Sequence, residues 1–396
     1  MSKISKAHYS NMVLHRKCPQ AWVYRYVRNL EKIEREIAPA LDFGNWWHAL
    51  RAADALERGR EHQSIRSVPK KITTTDRGPV FDGKTVTAQE VLDASEKWWN
   101  RLQHEVQEEW LGFLGQNLPD RLAGAYVRWT TYWQIEREEE HPLAVEMYWQ
   151  RNIKTPSGNS VRLYGFIDEV FYNERRNLVV VRDAKTASNL GQVSSLDDMM
   201  DSQLQLYAWG AAPMIEKWGL GKVRAVGYDR VRSKAPKTPE LTLTGSLKKS
   251  ITDFDWMTYE QWAKGPDGLG VMWGKEGEVY ASGKKKGEPK WGRYLPEGQV
   301  IAELQTDIKQ SIWFRRTLTP INMNLVRVHL QSVLDTVDAQ EKTMERFEKS
   351  GDAPRNLASS NCKWCDYASL CRAEMFGGAG GSYDLAEHNL RERPNS

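Results

Sequence analysis

Two aspartates and one lysine lie close together around a predicted β-hairpin. Asp168 lies in a mostly apolar stretch, and Asp183 and Lys185 follow a run of valines. Both stretches are typical of β-strands, and the polar segment between them is short enough to close a hairpin. A turn centred between Arg175 and Arg176 places Asp168 directly opposite Asp183 on the paired strands.

These three side chains together predict chemistry at a phosphate. Two carboxylates that face each other across a ladder repel, and they repel more strongly beside buried valines than in water. The arrangement is stable if one acid is protonated or if a cation lies between them. Lys185 projects on the same face as Asp183, whereas Ala184 points away. Mg²⁺ and Mn²⁺ prefer oxygen ligands, and a neighbouring lysine can offset charge on a phosphoryl group. Taken singly, each of these residues would be an ordinary solvated charge.

Further elements must position these side chains. Helical periodicity predicts helices over the ranges 8–35 (broken at Cys18 and Pro19), 41–53, 88–140, 198–217 and 319–349. Besides the hairpin, strands are predicted over 144–150 and 222–232, so a third strand leads into the hairpin.

Two spaced pairs of residues on the predicted helices extend the pattern. Gly44 and His48 are four residues apart on an early helix, and Gln203 and Tyr207 share a face of the helix that follows Lys185. Alone, each pair is ordinary, since a single histidine or tyrosine on a helix is usually structural. On the strand over 222–232, four side chains recur at every second or fourth position and form either a stripe of phosphate contacts or a solvated strand face: Arg224, Tyr228, Arg230 and Arg232.

The order of these motifs resembles the RecB-like branch of the PD-(D/E)XK nucleases. Gly165 and Asp168 match GxxD, Asp183 to Lys185 match DxK, and the helical pairs match the GxxxH-like and QxxxY elements. The resemblance implies an α/β nuclease core, in which a small mixed β-sheet is flanked by helices. It implies that Mg²⁺ or Mn²⁺ is held by His48, Asp168, Asp183 and the carbonyl of Ala184. It also implies that Lys185 positions the nucleophile, and that Gln203 and Tyr207 support the site and the DNA strand.

The chain has four cysteines, which are Cys18, Cys362, Cys365 and Cys371. An intracellular chain is not expected to hold them as disulfides, and a single four-thiolate site accounts for all of them. Zinc and an iron–sulfur cluster are equally suitable on chemical grounds, and Cys18 alone would be a buried apolar side chain. One cysteine before the core and three after it resembles AddB-type nucleases and CRISPR-associated RecB-like exonucleases. That resemblance implies a 4Fe-4S cluster.

Composition sets limits on other functions. The net charge is only +4, from 56 basic and 52 acidic residues, so a nucleic-acid surface must be a local patch. No apolar run has the length of a membrane span, and we expect a cytoplasmic protein. Residues 78–85 fit the P-loop pattern, but no buried strand precedes them. A capping box from Thr87 to Glu90 should begin the helix later, and this argues against nucleotide hydrolysis.

The sequence divides into five predicted regions. They are a helical N-terminal region with Cys18 and His48 (1–140), a nuclease core (141–232), an insertion (233–318), a C-terminal helix with three cysteines (319–375) and a disordered tail (376–396). Lysines interleaved with tryptophans in the insertion suit either single-stranded nucleic acid or a charged surface.

The resemblance and the residues together predict a metal-dependent DNA exonuclease. It would act on single-stranded DNA or DNA ends in recombination or repair, in a phage or prophage setting, with a recombination or single-strand-binding protein as a possible partner. The alternative is a catalytically silent iron–sulfur or zinc protein that binds DNA or assembles complexes.

Overall fold

The computed structural model describes residues 4–33, 38–74, 78–156, 158–190, 200–219, 221–237, 286, 313–375 and 385–393. The helices in these ranges are α1 (Tyr9–Lys17), α2 (Pro19–Trp22), α3 (Pro39–Glu61), α4 (Ala88–Trp99), α5 (His104–Leu114), α6 (Leu118–Tyr132), α7 (Gln134–Glu138), α8 (Ser202–Glu216), α9 (Met323–Ser350), α10 (Ser359–Cys362) and α11 (Ala368–Met375). The strands are β1 (Lys6–His8), β2 (Leu30–Lys32), β3 (Lys71–Thr73), β4 (Val80–Asp82), β5 (Glu140–Lys154), β6 (Ser160–Asn173), β7 (Leu178–Ala187), β8 (Val223–Arg232), β9 (Phe314–Pro320) and β10 (Leu390–Glu392). None of the described helices is long and apolar enough to cross a membrane.

A six-stranded mixed sheet forms the centre of the molecule. Its order is β1-β6-β7-β8-β9, and β5 pairs with β6 as well. The pairs β5–β6, β6–β7 and β8–β9 are antiparallel, whereas β1–β6 and β7–β8 are parallel. The predicted register of the β6–β7 hairpin is confirmed, since Glu169 pairs with Arg182 and Asn173 pairs with Leu178. The predicted fold class, a mixed sheet flanked by helices, is also confirmed.

Strand β6 changes its neighbour at the level of Asp168. Its ladder with β7 covers Glu169 to Asn173, whereas residues 162–164 pair instead with β1. Strand β5 follows β6 along its whole length on the other edge. Strands β6 and β7 therefore diverge beside Asp168, and groups at that point are not enclosed between two continuous ladders.

Helices cover the sheet through two apolar clusters. The first joins α3 to α4, α5 and α6, with Trp46, Trp47, Trp110 and Trp129 fully buried in it. The second joins α8 and α9 to the strands, and it includes Val179 and Val181 of β7. Burying a large aromatic side chain contributes on the order of 2 kcal/mol, and the ring contacts of these tryptophans join α3, α4, α5 and α6 to one another.

The predicted helix break at Cys18 and Pro19 and the predicted start of α4 are confirmed. Cys18 has an extended backbone between α1 and α2, and Pro19 occupies the first turn of α2. Thr87 and Glu90 form the predicted capping box at the start of α4. The P-loop-like residues before it form β4 and a turn, so no helix begins at the lysine of that pattern.

Several predicted boundaries are wrong. Residues 30–32 form β2 inside the predicted helical region 8–35, and β5 begins at Glu140, ahead of the predicted start at 144. Residues 314–320 form β9, so the C-terminal helix begins at Met323 and not at 319. The sequence there has β-branched and aromatic residues that complete the sheet edge. Part of the predicted disordered tail is also ordered, because Leu390–Glu392 pairs with Leu30–Lys32 and Leu390 is buried. The predicted insertion over 233–318 lies outside the described residues except for 233–237, 286 and 313–318.

Candidate active site

Three carboxylates occupy neighbouring positions on three adjacent strands. The β5–β6 pairs on either side place Glu146 opposite Asp168, although these two residues are not themselves a ladder pair. The β6–β7 register, extended by one pair, sets Asp168 against Asp183. The backbone N–H of Ala184 donates to Asp168 Oδ2 at 2.8 Å, which fixes that extension. We call Glu146, Asp168 and Asp183 the carboxylate row. The row lies where β6 and β7 diverge.

Glu146 was not among the predicted site residues. It lies in the middle of β5 with φ +46°, in the left-handed region that non-glycine residues rarely adopt. Such strained positions cluster at functional sites, and Glu146 is partly exposed between the buried Val145 and Met147. A single acid between Val145 and Met147, on the strand leading into the hairpin, was the only signal in the sequence.

Helix α3 brings His48 to the row because Gly44 allows a close approach to β7. A Cβ atom on Gly44 would lie 2.9 Å from Thr186 Oγ1. One turn later, His48 Nδ1 lies 3.3 Å from Asp168 Oδ2. The two side chains keep 30% and 20% of their exposure, so a substrate can reach them from solvent. Gly44 therefore allows the close approach of α3, and this approach places His48 against Asp168.

The donor atoms at this point are spaced for a metal ion. Ligand atoms of His48, Glu146 and Asp168 all lie within 4.8 Å of one another, and this is the one such group found in the described ranges. Two ligands of one ion at about 2.1 Å lie at most about 4.2 Å apart, so small side-chain rotations would close the site. The predicted ligand Asp183 lies outside this compact group, next to it along the row.

Lys185 compensates part of the negative charge. Its Nζ lies 2.5 Å from Asp183 Oδ2. Burial disfavours its charged form, but Asp183 and Asp168 outweigh burial and raise the pKa of Lys185 above its usual value. The amine is therefore a fixed cation at the edge of the row, as the sequence predicted.

The acids of the row have displaced pKa values. Burial, followed by repulsion from Asp168, raises the pKa of Glu146 to about 8 and that of Asp183 to about 7. Burial acts on Asp168 in the same direction, but His48, Lys185 and the Ala184 N–H lower its pKa below the usual value. The pKa of His48 is raised, because Asp168 outweighs the burial of the ring. A proton or a cation thus stabilises the row.

Helix α8 supplies the predicted glutamine and tyrosine. Gln203 Nε2 donates to Tyr207 Oη at 3.2 Å, and burial raises the pKa of Tyr207, with smaller contributions from Asp183 and Asp168. Asp201 caps the helix by accepting from two backbone N–H groups. The pair is therefore placed beside the row, where it can orient a substrate group.

The predicted DNA-contact stripe on β8 is only partly accessible. Arg224 is exposed and Arg230 is half-buried. Tyr228 and Arg232 are buried, and Arg232 Nε donates to the carbonyl of Ser188. Because Tyr228 and Arg232 are buried, the hypothesis of phosphate contacts now applies only to Arg224 and Arg230.

A second group of charges lies next to the row, on strands β5 to β9 and on helix α3. We call it the paired network, and it joins three arginines to three carboxylates: Arg51, Arg182 and Arg316 with Glu140, Glu169 and Asp229. The N···O distances are 2.5–3.6 Å, and all six side chains are at most 9% exposed. Sequence reasoning missed this network, because its partners are far apart in the chain.

The four cysteines line one pocket of about 300 Å³ between α1, α2 and the C-terminal helices. They are Cys18, Cys362, Cys365 and Cys371, and all four are free thiols. In the described part of the chain, no three of their sulfur atoms lie within 4.8 Å of one another. The cysteines therefore surround a common space without forming a compact single-ion site.

Comparison with known proteins assigns the family. The sequence matches the PD-(D/E)XK nuclease superfamily over residues 9–372. No curated protein matches the chain. A solved structure titled "Crystal structure of SSO0001" is similar over 72% of this chain and 77% of that chain, at 13% identity and a TM-score of 0.25, and it carries no argument. Since the superfamily match spans nearly the whole chain and includes the hairpin with its carboxylates, the chain belongs to the PD-(D/E)XK superfamily of metal-dependent nucleases.

Proposed function

We propose that the protein is a Mg²⁺- or Mn²⁺-dependent deoxyribonuclease that acts as an exonuclease. The observation that carries the proposal is the carboxylate row, with His48 against Asp168 and Lys185 against Asp183. Three adjacent carboxylates repel one another and destabilise a fold unless a proton or a cation lies among them. Oxygen donors with one imidazole suit a hard divalent ion.

The chain's own groups divide the work of hydrolysis. His48, Glu146 and Asp168 would hold the ion, together with Asp183 and the carbonyl of Ala184. When bound, the ion lowers the pKa of a water and neutralises charge on the phosphate. Lys185 is held against Asp183 and orients the attacking water while offsetting charge on the phosphoryl oxygens.

The support from α8 completes the proposed site. The hydrogen bond between Gln203 and Tyr207 fixes the direction of the phenol, so Tyr207 can donate to a phosphate or sugar oxygen. Arg224 and Arg230 on β8 would contact the strand farther from the reacting phosphate. None of these groups needs to transfer a proton, and their role is to position DNA.

A cleavage assay tests this function against the catalytically silent alternative. Single-stranded DNA labelled at either end is incubated with Mn²⁺ and wild type, Lys185→Ala or the control Glu109→Gln, whose side chain is exposed on α5. Stepwise shortening by wild type and the control, but not by Lys185→Ala, is expected. Intact DNA with wild type, or equal cleavage by Lys185→Ala, would favour the silent binding protein. If fragments from internal cleavage appear before shortened products, the protein is an endonuclease and the proposal of an exonuclease is wrong.

We also propose that the four cysteines hold a 4Fe-4S cluster. Sulfur atoms that bind one zinc ion at about 2.3 Å lie about 3.8 Å apart. A cluster of several irons separates its thiolates more widely, and this fits cysteines that line a pocket without meeting one another. Such a cluster would fasten Cys18 to the C-terminal helices and remove about 5 kcal/mol of unfolded-chain entropy by loop-closure arithmetic.

Metal analysis of anaerobically purified protein tests the cluster. A broad visible absorbance band and about four irons per chain are expected. Zinc in place of iron would contradict it. We expect Cys371→Ala to lower the melting temperature clearly, while the rate of DNA cleavage per folded molecule changes little. A wild-type melting temperature in that variant would refute the structural role.

The biological setting follows from this activity. A nuclease without a credible ATPase motif would act on DNA ends or single strands during recombination or repair in the cytoplasm, including a host cytoplasm if a phage encodes it. A recombination or single-strand-binding protein would then present its substrate. Co-purification of such a partner with the full-length chain is the test.

A further inference from the structure

An exposed row of aromatic rings begins next to the carboxylate row. From Asp168 backwards along β6, every second side chain is at least partly exposed, whereas the alternate ones are buried. Phe166 and Tyr164 are the first two of these outward residues. Tyr148 pairs with Phe166 across the ladder, and His8 of β1 pairs with Tyr164. We call His8, Tyr148, Tyr164 and Phe166 the aromatic strip.

The rings of the strip touch in sequence. Ring centroids lie 5.3 Å apart between Phe166 and Tyr148, 6.1 Å between Tyr148 and Tyr164, and 5.2 Å between Tyr164 and His8. His8 then contacts Tyr26, which lines the cysteine pocket. All these contacts are tilted or edge-on, so the rings do not cover one another's faces.

Two of these rings are exposed beyond what folding requires. Phe166 is 51% and Tyr148 is 41% exposed. Buried Met147 and Trp149 alternate with Tyr148 on the other side of β5. The strand therefore has its apolar anchor without the outward rings, and contiguous exposed aromatic surface marks an interaction site.

Charge on the same surface favours a polyanion. The outward residues beyond the rings on β1, β5 and β6 include Lys6, Lys154 and Arg162, all exposed. Lys6 pairs with Arg162 in the sheet, beyond the pair of His8 and Tyr164. Outward positions from Tyr148 to Lys154 and from Ser160 to Phe166 include no acid. The negative charge is confined to the carboxylate row at one end of the strip.

We propose that the aromatic strip binds single-stranded DNA and leads it into the carboxylate row. This inference rests on the proposed nuclease function and adds its substrate class. Unpaired bases stack on tyrosine and phenylalanine rings whatever their sequence, while basic groups follow the phosphates. Paired bases are stacked on their neighbours and cannot occupy the rings, so the strip selects unpaired DNA over duplex.

Binding without hydrolysis tests the strip separately from the chemistry. Anisotropy of a labelled 30-nucleotide oligothymidine is measured with the full-length protein in EDTA, with a blunt duplex as comparison. Stacking on one ring accounts for about 5- to 100-fold in affinity. We expect the double variant Tyr148→Ala/Phe166→Ala to bind the single strand at least about tenfold more weakly, with little change for duplex.

Conservative variants separate stacking from folding. Tyr148→Phe/Phe166→Tyr keeps both rings and should bind like wild type. Ile135→Ala removes a 67% exposed apolar side chain from α7 and serves as the control. Loss of binding in the ring-preserving variant, or wild-type affinity in the double alanine variant, would overturn the proposal.

Further measurements separate DNA binding by the aromatic strip from self-association of the chain and from the nuclease function. If the double alanine variant loses self-association by light scattering but keeps its oligonucleotide affinity, the strip is an interface between copies of the chain, and the proposal is overturned. Strip-dependent binding by a wild type that never cleaves DNA supports the strip and refutes the nuclease. For an active wild type, the double variant should raise KM for single strands about tenfold with kcat within about twofold.

Discussion

The carboxylate row and the paired network both include residues of β5, β6 and β7, but they differ in charge balance. Asp168 belongs to the row and the adjacent Glu169 to the network, and likewise Asp183 and Arg182. In the network three arginines neutralise three acids. In the row three acids face Lys185 and one histidine. Alternation along a strand is sufficient to send neighbouring residues into these two environments.

The pKa values record this difference. Arg182 and Arg316 outweigh burial and lower the pKa of Glu140 to about 2, and Arg316 with Arg51 does the same for Asp229. In the row, burial and repulsion raise the pKa of Glu146 and Asp183. The balanced charges of the network therefore hold α3 against the sheet and β9 against its neighbouring strands. The excess negative charge of the row can bind a cation.

The largest expected effect comes from the row. Asp183→Asn should reduce DNA hydrolysis about 10⁴-fold, or about 5.5 kcal/mol in the barrier. Because the change removes repulsion, the melting temperature in EDTA should equal or exceed that of wild type. Calorimetry and single-turnover cleavage measure the two quantities. A variant that keeps its activity, or that melts well below the wild-type temperature, would mean that Asp183 stabilises the fold, as the acids of the paired network do.

Breaking the network should have the opposite signature. Arg182→Met removes one of three buried cations and leaves Glu140 and Glu169 with only Arg316 and Arg51, so the buried charge no longer balances. This costs about 3–5 kcal/mol in the free energy of unfolding. Arg176→Met in the exposed hairpin turn is the control and should change stability by less than about 0.5 kcal/mol. Urea denaturation measures both. Equal stability of the two variants would show that the network is not a structural support.

Acid should remove the stabilisation that Glu140 gives to the network. The folded-state pKa of Glu140, about 2, lies below its ordinary 4.5. Its stabilisation is therefore complete above about pH 5 and is lost as the pH falls towards 2. Glu140→Gln should cost about 3 kcal/mol at neutral pH, and the difference from wild type should shrink across that window. A pH-independent difference, or the same pattern for exposed Glu109→Gln, would contradict this.

The smallest effect concerns the helix that connects the two regions. Gly44→Ala adds a Cβ atom 2.9 Å from Thr186 Oγ1, but alanine favours the helix by about 1 kcal/mol. We expect little change in stability and about a tenfold loss of activity, because His48 is displaced. Thr186→Ala removes the obstructing hydroxyl and should restore the activity of Gly44→Ala. Persistent loss in the double variant would mean that Gly44 does not act through this contact.

The sequence was sufficient for the local parts of the site. The turn length and the alternation of β6 and β7 predicted the pairing that sets Asp168 beside Asp183. The spacing from Gly44 to His48 predicted one helix face. Both inferences depend on neighbours within a few tens of residues, where periodicity and turn geometry limit the possibilities.

The remaining parts depend on geometry that periodicity does not contain. Glu146 lies opposite Asp168 because of the register between β5 and β6, and the pattern within a single strand does not give that register. Arg51 pairs with Asp229 across 178 positions of sequence, and only the folded sheet brings them together. Strand β9 was missed because its partner β8 is separated from it by the long segment after residue 237.

Mn²⁺ titration of the full-length protein tests the central claim most directly, because it measures the cation that the row is proposed to hold. Calorimetry should show binding to wild type and to the network variant Glu140→Gln, and at least about tenfold weaker binding to Asp168→Asn. Wild-type Mn²⁺ affinity in Asp168→Asn, or no binding by wild type, would contradict the account.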